Sequence, residues 1–257
     1  MHIRRARLQH NFGEAAAEYD AQAEFQHVQT RRVLDSALML LPSSATLADI
    51  GCGTGYFAQA AKQQRPGWKV IGVDIAHGMC RVANTRCHAV NADAARLPLA
   101  DASIDGAVSA LCYQWVENQP EAFAELARVL KPHARAIIAS LGQSTLHELR
   151  ACAAKVELPL SQLAMPTFLA TKAALEAANF TVTMHEKREE VQYYPSVAAL
   201  LHSMRAIGAG NNFSGNARGL TGPKRWAAMV HAYELLRMPQ GIPATWEHHF
   251  FIASKGA

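Results

Sequence analysis

A glycine-rich segment in the first quarter of the chain has the composition of a ligand-binding loop. It reads Asp-Ile-Gly-Cys-Gly-Thr-Gly over residues 49–55 and directly follows a short apolar run. Glycines permit a tight turn and let the backbone approach a ligand closely. The spacing is G-x-G-x-G, with Asp49 two residues before Gly51, and it differs from the G-x-G-x-x-G of pyrophosphate-binding loops. A tight loop beside an acid favours a ligand with an ammonium group and no phosphate, although an ordinary glycine-rich turn gives the same pattern.

Two further acids follow the next two apolar runs in order. Asp74 closes the first of these runs, 19 residues after Gly55. Asp93 comes shortly after the second run, which ends at Asn91. A carboxylate at the first place can accept hydrogen bonds from both ribose hydroxyls, and the second place suits an adenine amino group. Each acid alone is explained as a loop cap, but three polar strand ends in order predict a nucleoside-bearing ligand at one edge of a sheet.

The elements that position these groups alternate between strands and helices. Helical spacing of apolar residues, with Pro or Gly after several of the runs, predicts helices at Phe25–Leu41, Gly55–Gln64, Gly78–Arg86 and Glu121–Leu130. Apolar and β-branched runs predict strands at Thr46–Ile50, Trp68–Val73, Cys87–Asn91, Ile104–Ala110 and Ala134–Leu141. This alternation predicts an α/β protein with a parallel sheet, right-handed crossovers and helices on both faces.

Beyond Gly142 the alternation loosens and helices dominate. The predicted helices are Ser144–Val156, Thr171–Ala178, Ser196–Ile207 and Pro223–Leu236, and the only predicted strands are Thr181–His185 and Thr245–Ala253. The stretch Gly208–Gly222, rich in Gly, Asn and Ser, predicts a mobile loop. Seven strands in total are therefore expected, with a group of helices late in the chain.

Composition excludes several classes of protein. The chain has 257 residues, of which 50% are hydrophobic and 18% charged, so a buried core is expected and intrinsic disorder is excluded. No window approaches the roughly 18 consecutive apolar residues of a membrane span, and no apolar run follows the arginines of the first twenty residues. The five cysteines form no C-x-x-C pair, which favours free thiols over a zinc site. A cytoplasmic protein without a metal is the expectation.

The net charge of +4 is too small to indicate a nucleic-acid binder. Its distribution is uneven, because residues 191–237 contain five basic residues and one acidic residue and so carry a balance of +4 by themselves. Such a surface either is simply solvated or attracts an acidic substrate or partner.

The three strand-end motifs resemble those of the seven-stranded methyltransferases that use S-adenosylmethionine. Those proteins carry a D-x-G-C-G-x-G loop, an acid that closes the second strand and an Asp after the third. The resemblance implies a Rossmann-like seven-stranded sheet in which the loop holds the methionine part of the cofactor and Asp74 takes the ribose hydroxyls. The adenine then meets the residues after the third strand, and the end of the fourth strand faces the methyl group. The implied cofactor-binding residues are Asp49, Gly51, Cys52, Gly53, Gly55, Asp74, Ile75, Met79, Asp93, Ala94, Leu111 and Gln26.

Further segments resemble the malonyl-acyl carrier protein O-methyltransferases of biotin synthesis across most of the chain. Phe12–Gln26 resembles their N-terminal lid, Ala110–Trp115 and Ser140–Leu149 two of their core segments, and Met204–Ala209 with Gly219–Thr221 their substrate-side insertion. One departure is Val116, which replaces the cysteine that is common after the tryptophan. The resemblance implies a single methyltransferase domain over residues 1–257, with a helical lid (1–42), a cofactor-binding core (43–142) and substrate-side helices with the last strands (143–257).

The implied reaction moves a methyl group from S-adenosylmethionine to the free carboxylate of a malonyl thioester on acyl carrier protein, leaving S-adenosylhomocysteine. A carboxylate with a reference pKa of about 4 needs no general base at neutral pH. The protein must then supply orientation and a dry cavity. The implied catalytic residues are Tyr19, Arg205 and Trp115, and the implied substrate-binding residues are Phe12, Gln114 and Gln143. Arg205 is assigned to the malonyl carboxylate through charge-assisted hydrogen bonds.

Several alternatives remain open at this point. Arg205 is equally interpreted as a surface residue on an amphipathic helix, and Tyr19 as a lid residue that only packs or that bonds the cofactor's own carboxylate. The aromatic residues Phe12 and Trp115 are as consistent with plain packing as with a site wall. The same fold also methylates small free acids such as aconitate or quinone-ring carbons, and a non-catalytic S-adenosylmethionine-binding protein fits the motifs as well.

Overall fold

The structure, a computed structural model, describes residues 2–158, 165–209 and 223–257, with side chains from residue 6 onward. Within these ranges the chain forms one seven-stranded sheet. Its strands in chain order are β1 (Ala45–Ile50), β2 (Trp68–Asp74), β3 (His88–Asn91), β4 (Ile104–Ala110), β5 (Leu130–Leu141), β6 (Phe180–Tyr194) and β7 (Ile242–Lys255). In space they follow the order β3-β2-β1-β4-β5-β7-β6. The strands β1 to β5 are parallel, whereas β7 runs antiparallel to both β5 and β6.

Helices precede, connect and cover these strands. They are α1 (His2–Ala15), α2 (Tyr19–Gln22), α3 (Glu24–Leu40), α4 (Tyr56–Gln64), α5 (His77–Ala83), α6 (Gln119–Val129), α7 (His147–Lys155), α8 (Phe168–Ala177), α9 (Val197–Ala206) and α10 (Pro223–Glu234). A short 3₁₀ turn, Tyr113–Trp115, follows β4. The part of the chain that the structure describes has no helix long and apolar enough to span a membrane.

The sheet is buried on both faces, and neighbouring residues of one strand serve opposite faces. Ile137 of β5 joins a core with α3 and α4, whereas Ile138 joins a core with α6 and α8. Likewise, Phe250 of β7 joins the core with α3 and α4, and Phe251 joins the core with α6 and α8. This period-two alternation is what a sheet between two helical layers requires. The predicted α/β fold with helices on both faces is therefore confirmed.

A third apolar cluster lies where α7, α9 and α10 pack on the first half of β7. Leu149, Leu200 and Tyr233 are fully buried there, together with most of the Trp246 side chain. This cluster is the helical insertion that the sequence predicted late in the chain.

The two N-terminal helices, α1 and α2, form a lid over the carboxyl ends of the parallel strands. Helix α1 crosses α5 in backbone contact, because a Cβ atom added at Gly78 would overlap the backbone of Gly13. Glycine at this crossing removes the side chain that would otherwise separate the two helices. The sequence predicted a helical lid over residues 1–42, and α1 and α2 lie within that range.

Three predicted strands have wrong boundaries. β7 begins at Ile242, three residues before the predicted Thr245, and ends at Lys255. β5 begins at Leu130, directly after α6, and not at Ala134. β6 continues past His185 to Tyr194 through a run of charged residues of both signs, residues 186–190. It is an edge strand, and charged side chains on an edge oppose pairing with other chains. Their presence hid the apolar alternation that the prediction relied on.

The predicted loop Gly208–Gly222 lies, apart from its first two residues, outside the described residues.

Candidate active site

A cavity of about 300 Å³ lies at the carboxyl ends of β1, β2 and β4, beyond β3 and beneath α1. It is formed where the loops after successive parallel strands meet, which is the usual ligand site of an open α/β sheet. Most of the residues assigned to the cofactor from the sequence line it, namely Gly51, Gly53, Asp74, Ile75, Met79, Asp93, Ala94 and Leu111. The lid and the turn after β4 add Phe12, Tyr19 and Trp115.

The glycine-rich loop uses its own amides inside the protein. The amides of Gly51 and Cys52 both donate to the Val73 carbonyl, at 2.7 and 3.1 Å. The Gly53 amide donates to Asp74 at 2.9 Å, and the Gly55 amide donates to Cys52. A phosphate is normally bound by several unpaired amides, and four of those in this loop are already paired. The loop therefore suits a ligand without phosphate, as its spacing predicted.

Gly51 brings the loop against the segment after β4. Its φ is +75°, and an added Cβ atom would overlap the Cβ atom of Cys112. A glycine meets both conditions, since it accepts the left-handed conformation and has no side chain to displace Cys112. The floor of the cavity is consequently backbone, which a ligand can approach closely.

Asp74 is the acid best placed for a ribose. Its Oδ2 accepts from the Gly53 amide and its Oδ1 from the Ala76 amide, at 2.9 and 2.8 Å. Burial raises the pKa of this carboxyl, and the backbone hydrogen bonds oppose the rise. Each carboxylate oxygen has two lone pairs, so one on each oxygen remains for a hydroxyl donor. The arrangement fits the two hydroxyls of a ribose.

Asp49 lies deeper, beneath the loop, and is only 3% exposed. Its Oδ2 has no hydrogen-bond partner among the described residues. Burial, helped by the charge of Asp74, raises its pKa to about 7. An uncompensated buried carboxyl is costly, and a cation bound above the loop would lower that cost. The orphaned oxygen therefore fits a cofactor that carries a sulfonium and an ammonium group.

The far end of the cavity is formed after β3. The Asp93 side chain accepts from the Ala95 amide at 2.9 Å, and Ala94 is buried beside it. The Asn91 side chain points back along the sheet edge, where it donates to the carbonyls of Asp74 and Ile75. Asp93 and Ala94 thus border the cavity, and the Asn91 side chain links the end of β3 to the end of β2 by hydrogen bonds.

A second, smaller cavity of about 50 Å³ adjoins the first on the side of the late helices. The two share the residues Phe12, Tyr19, Leu111 and Trp115. The rings of Phe12 and Trp115 meet edge to face, with centroids 5.7 Å apart. Leu111 directly follows β4 and lines both cavities. Its backbone has a left-handed conformation, with a φ of +60°. Non-glycine residues in this conformation are uncommon and concentrate at functional sites.

Tyr19 begins helix α2 and lines both cavities. Burial raises the pKa of its phenol, and the charges of Asp74 and Asp20 raise it further. The hydroxyl is therefore protonated at neutral pH and available as a hydrogen-bond donor.

The structure leaves several sequence-assigned residues outside the larger cavity. The Cys52 side chain packs with Cys80 and Ala83, and Gly55 allows close approach of the loop to α5. Gln26 lines the smaller cavity and not the larger one. Their assignment to the cofactor stays a prediction.

Besides Phe12, Tyr19 and Trp115, three more residues were assigned to substrate binding or catalysis. Gln114 is buried at the smaller cavity, where its amide donates to the Leu111 carbonyl and accepts from Ser140. Gln143 is exposed and lines neither cavity. Arg205 is exposed at the end of α9, although its neighbours Met204 and Ile207 do line the smaller cavity.

Sequence reasoning missed part of both walls. The missed residues of the larger cavity include Leu8 of α1 and a group that follows Trp115, namely Val116, Glu117, Asn118 and Glu121. The strand-end rule that identified Asp74 would have found the second group if it had been carried beyond Trp115. In the smaller cavity the missed residues include Phe25, Met165 and Trp246. They come from three distant parts of the chain, and no local sequence motif marks them as neighbours.

A buried polar network supports the wall of the smaller cavity that contains Leu141 and Trp246. The Glu247 carboxylate accepts from the Ser144 amide at 2.7 Å and lies 2.6 Å from Nε2 of His249. Burial by itself would raise the pKa of Glu247, but these hydrogen bonds outweigh it and lower the pKa to about 2. Burial lowers the pKa of the neighbouring His248 to about 4, with Glu190 opposing the shift.

Acidification is expected to destabilise the protein through His248. A histidine with a depressed pKa in the folded state contributes stability above its unfolded value of about 6.5, and this contribution is lost as the pH falls toward 4. We expect His248 to cost about 2 kcal/mol of the unfolding free energy between pH 7.5 and pH 5. Glu247, whose pKa is also depressed, adds a loss only below about pH 4.5.

Urea unfolding at the two pH values measures this loss. In the variant His248→Phe, whose ring would pack near Phe25, the difference between the two pH values should shrink by about 2 kcal/mol. The variant His88→Asn removes an exposed histidine and should retain the full difference. A His248→Phe variant with the same pH dependence as the wild type contradicts the prediction.

Comparisons with known proteins agree with this geometry. Residues 48–138 match the family model described as a methyltransferase domain. The chain is 36% identical over 258 residues to the biotin biosynthesis bifunctional protein BioHC of Cellvibrio japonicus, covering 98% of this chain and 51% of that protein. It is also 36% identical to the malonyl-acyl carrier protein O-methyltransferase of Xylella fastidiosa, covering 96% of this chain and 84% of that protein. The chain thus spans about half the length of the bifunctional relative and most of the second one.

Solved structures share the fold at low sequence identity. A protein of Bacillus halodurans described as a methyltransferase superposes with a TM-score of 0.63 at 13% identity, covering 90% of this chain and all of that one. A geranyl diphosphate methyltransferase in complex with S-adenosylmethionine superposes with a TM-score of 0.55 at 15% identity, covering 89% of this chain and 85% of that one.

Proposed function

Because the chain belongs to the malonyl-acyl carrier protein O-methyltransferase family, we propose that it methylates the free carboxylate of a malonyl thioester on acyl carrier protein, with S-adenosylmethionine as the donor. The names of the bifunctional relatives refer to biotin synthesis, and we propose the same pathway for this chain, in which the malonyl methyl ester primes pimeloyl synthesis. The cytoplasmic location and the absence of a metal stay predictions from the sequence.

The observation that carries the proposal is the pair of adjoining cavities with a shared wall. A methyl transfer needs a donor and an acceptor that meet at one point, each held by its own site. The larger cavity has the acids that suit a cationic nucleoside, and the smaller one leads from the same wall toward the late helices. Tyr19, Leu111 and Trp115 stand at the junction, where the methyl group would pass.

On the donor side, the chain's own residues bind and orient the cofactor. Asp74 is suited to hold the ribose hydroxyls, Asp49 to offset the positive charge, and Asp93 with Ala94 to border the adenine. When bound, S-adenosylmethionine supplies an electrophilic methyl group on a sulfonium. The protein adds no general base, since the proposed nucleophile is already ionised at neutral pH.

On the acceptor side, the protein orients the carboxylate and excludes water. The smaller cavity is lined mainly by aromatic and aliphatic side chains, and its polar side-chain groups include the Tyr19 hydroxyl, the amides of Gln26 and Gln114 and the indole N–H groups of Trp115 and Trp246. A carboxylate with few hydrogen bonds is a better nucleophile than a fully solvated one. These neutral donors help to orient the carboxylate. Arg205 at the end of α9 is proposed to bind the same carboxylate through a charge-assisted hydrogen bond, which leaves a lone pair for the methyl group.

The test is incubation of the protein with labelled S-adenosylmethionine and malonyl-carrier protein, followed by mass measurement of the carrier. The proposal expects a gain of one methyl group on the malonyl unit. Turnover of a free tricarboxylate in place of the carrier-bound thioester would favour a small-acid methyltransferase. Binding of the cofactor without product, over all acceptors tried, would favour a non-catalytic binding protein.

The carrier is proposed to dock on the basic segment, residues 191–237. Arg205 and Lys224 are exposed there, whereas Arg225 and Arg237 lie against Glu157 and Glu234, at 3.8 and 2.5 Å. The position of Arg218 falls outside the described residues. Acyl carrier proteins are acidic as a class, so a basic surface beside the smaller cavity would steer them to the site.

Salt is expected to weaken this docking. Raising ionic strength from low to near-physiological values should raise the KM for malonyl-carrier protein severalfold, because screening acts on exposed charges. The KM for a small malonyl thioester should change much less. Equal salt sensitivity of the two substrates, measured by initial rates, would place the docking elsewhere.

A further inference from the structure

Asp20, which directly follows Tyr19 in the lid, binds the glycine-rich loop of the core. Its Oδ1 accepts from the Thr54 hydroxyl at 2.6 Å, and its Oδ2 accepts from the Arg86 guanidinium at 2.7 Å. Arg86 also donates to the carbonyl and the hydroxyl of Thr54, both at 3.2 Å. Burial by itself would raise the pKa of Asp20, but the hydrogen bonds from Thr54 and Arg86 outweigh it and lower the pKa. Lid and loop are thus joined by a closed set of charge-assisted hydrogen bonds.

Besides these bonds, helix α2 is held by the packing of Tyr19 against Ala16, Ala76 and Met79, and the Nε2 atom of His27 lies 3.5 Å from Asp20 Oδ1. The helix is four residues long, buries none of them fully, and has no side-chain cap at its N-terminus. A helix this short does not form on its own in water. The Asp20 contacts therefore act together with the packing of Tyr19 to fix α2 against the loop.

The loop side of the contact leads directly to the candidate cofactor site. Thr54 is 2% exposed and stands between two glycines of the loop. The preceding residue, Gly53, donates its amide to Asp74. Asp20 is therefore connected to Asp74 through the loop. Thr54 donates a hydrogen bond to Asp20, and its neighbour in the chain, Gly53, donates one to Asp74.

We propose that Asp20 is a positioning residue that latches the lid onto the glycine-rich loop, holds Tyr19 between the two cavities and slows release of the nucleoside cofactor. The inference rests on the proposed function, because it takes S-adenosylmethionine to be the ligand of the larger cavity. Asp20 lines neither cavity and acts through Tyr19 and Thr54. Opening of the lid breaks the latch, so its strength sets how long the cofactor stays bound.

The experiment measures dissociation of S-adenosylhomocysteine by stopped-flow fluorescence. We expect Asp20→Asn to release it about five to ten times faster than the wild type, which corresponds to a loss of one or two exposed charge-assisted hydrogen bonds. The KM for S-adenosylmethionine should rise by a similar factor, while kcat stays within about threefold. Thr54→Val should also speed release, but less than Asp20→Asn does, because the ion pair between Asp20 and Arg86 remains. Thr54→Ser, which keeps the hydroxyl, should release the ligand as slowly as the wild type.

Two controls separate a latch from a general loss of structure. Glu18→Gln changes an exposed carboxylate two residues away in the lid and should leave the release rate unchanged. The double variant Asp20→Asn with Thr54→Val should release the ligand more slowly than the product of the two single effects predicts, because the two variants share the bond between Asp20 and Thr54. Thermal unfolding of each variant checks the fold, and Asp20→Glu is the substitute if Asp20→Asn does not fold.

The outcomes distinguish this inference from the proposed function. Release from Asp20→Asn at the wild-type rate overturns the latch, as does an additive effect in the double variant. A wild-type protein that does not bind S-adenosylhomocysteine overturns the proposed function, and the latch with it.

Discussion

Replacing Asp74 with alanine is expected to weaken binding of S-adenosylhomocysteine by about 2–3 kcal/mol, or about 30- to 150-fold. The side chain offers an acceptor on each oxygen to a ribose, and it also holds the Gly53 and Ala76 amides around the cavity. Its removal therefore costs the ligand both direct bonds and the shape of the loop. Hydrogen bonds to a charged acceptor are among the stronger ones in proteins.

Isothermal calorimetry on the folded variants measures this loss. Asp74→Asn keeps one carbonyl acceptor and should fall between the wild type and the alanine variant. Asp35→Ala removes an exposed acid of α3 and should bind as the wild type does. Unchanged affinity of Asp74→Ala, with thermal unfolding that shows an intact fold, would reject its assignment to the ribose.

Replacing Arg205 with alanine is expected to lower kcat/KM on malonyl thioester by about tenfold to a hundredfold, with little change in cofactor affinity. This range corresponds to the loss of a hydrogen bond between two charged groups, about 1.5–3 kcal/mol. Arg205 is exposed, but Met204 and Ile207 on either side of it line the smaller cavity. Its long side chain is therefore within one helical turn of the proposed acceptor site.

Initial rates with a malonyl thioester and calorimetry with S-adenosylhomocysteine together test the assignment. Arg205→Lys should recover only part of the activity, since a planar fork suits a carboxylate better than a point charge does. Lys224→Ala removes another exposed cation of the same basic segment and should leave activity on a small thioester unchanged. A near-normal kcat/KM for Arg205→Ala would exclude it from substrate binding. A parallel loss of cofactor affinity would move it to the cofactor's carboxylate.

The sheet and the cofactor side of the site could be predicted from the sequence because their signals are local. A glycine-rich loop, an acid at a strand end and the alternation of helices with strands are each contained in about ten to thirty residues. Parallel topology then brings the strand ends to one edge without further information. This is why residues as far apart as Gly51, Asp74 and Asp93 could be expected in one cavity, and the structure places all three there.

The acceptor side could not be predicted in the same way, because it is built from long-range packing. Phe25, Met165 and Trp246 meet at the smaller cavity from a lid-proximal helix, an inter-helix segment and the last strand. The sequence motifs pointed to Gln143 by position along the chain, but the structure leaves its side chain exposed. The bond between Asp20 and Thr54 spans 34 positions and has no periodic signature.

The position of β7 has a consequence for how the protein is made. This strand is the last in the chain, and it lies between β5 and β6 in the sheet. About 100 residues separate the end of β5 from the start of β7. At roughly 5–20 residues per second, a ribosome needs roughly 5–20 seconds to make them.

During that interval the edge of β5 has no partner, and β6 lacks the strand that joins it to the sheet. Nascent chains are therefore most exposed to edge-to-edge aggregation in this window, and the core closes only when β7 has emerged.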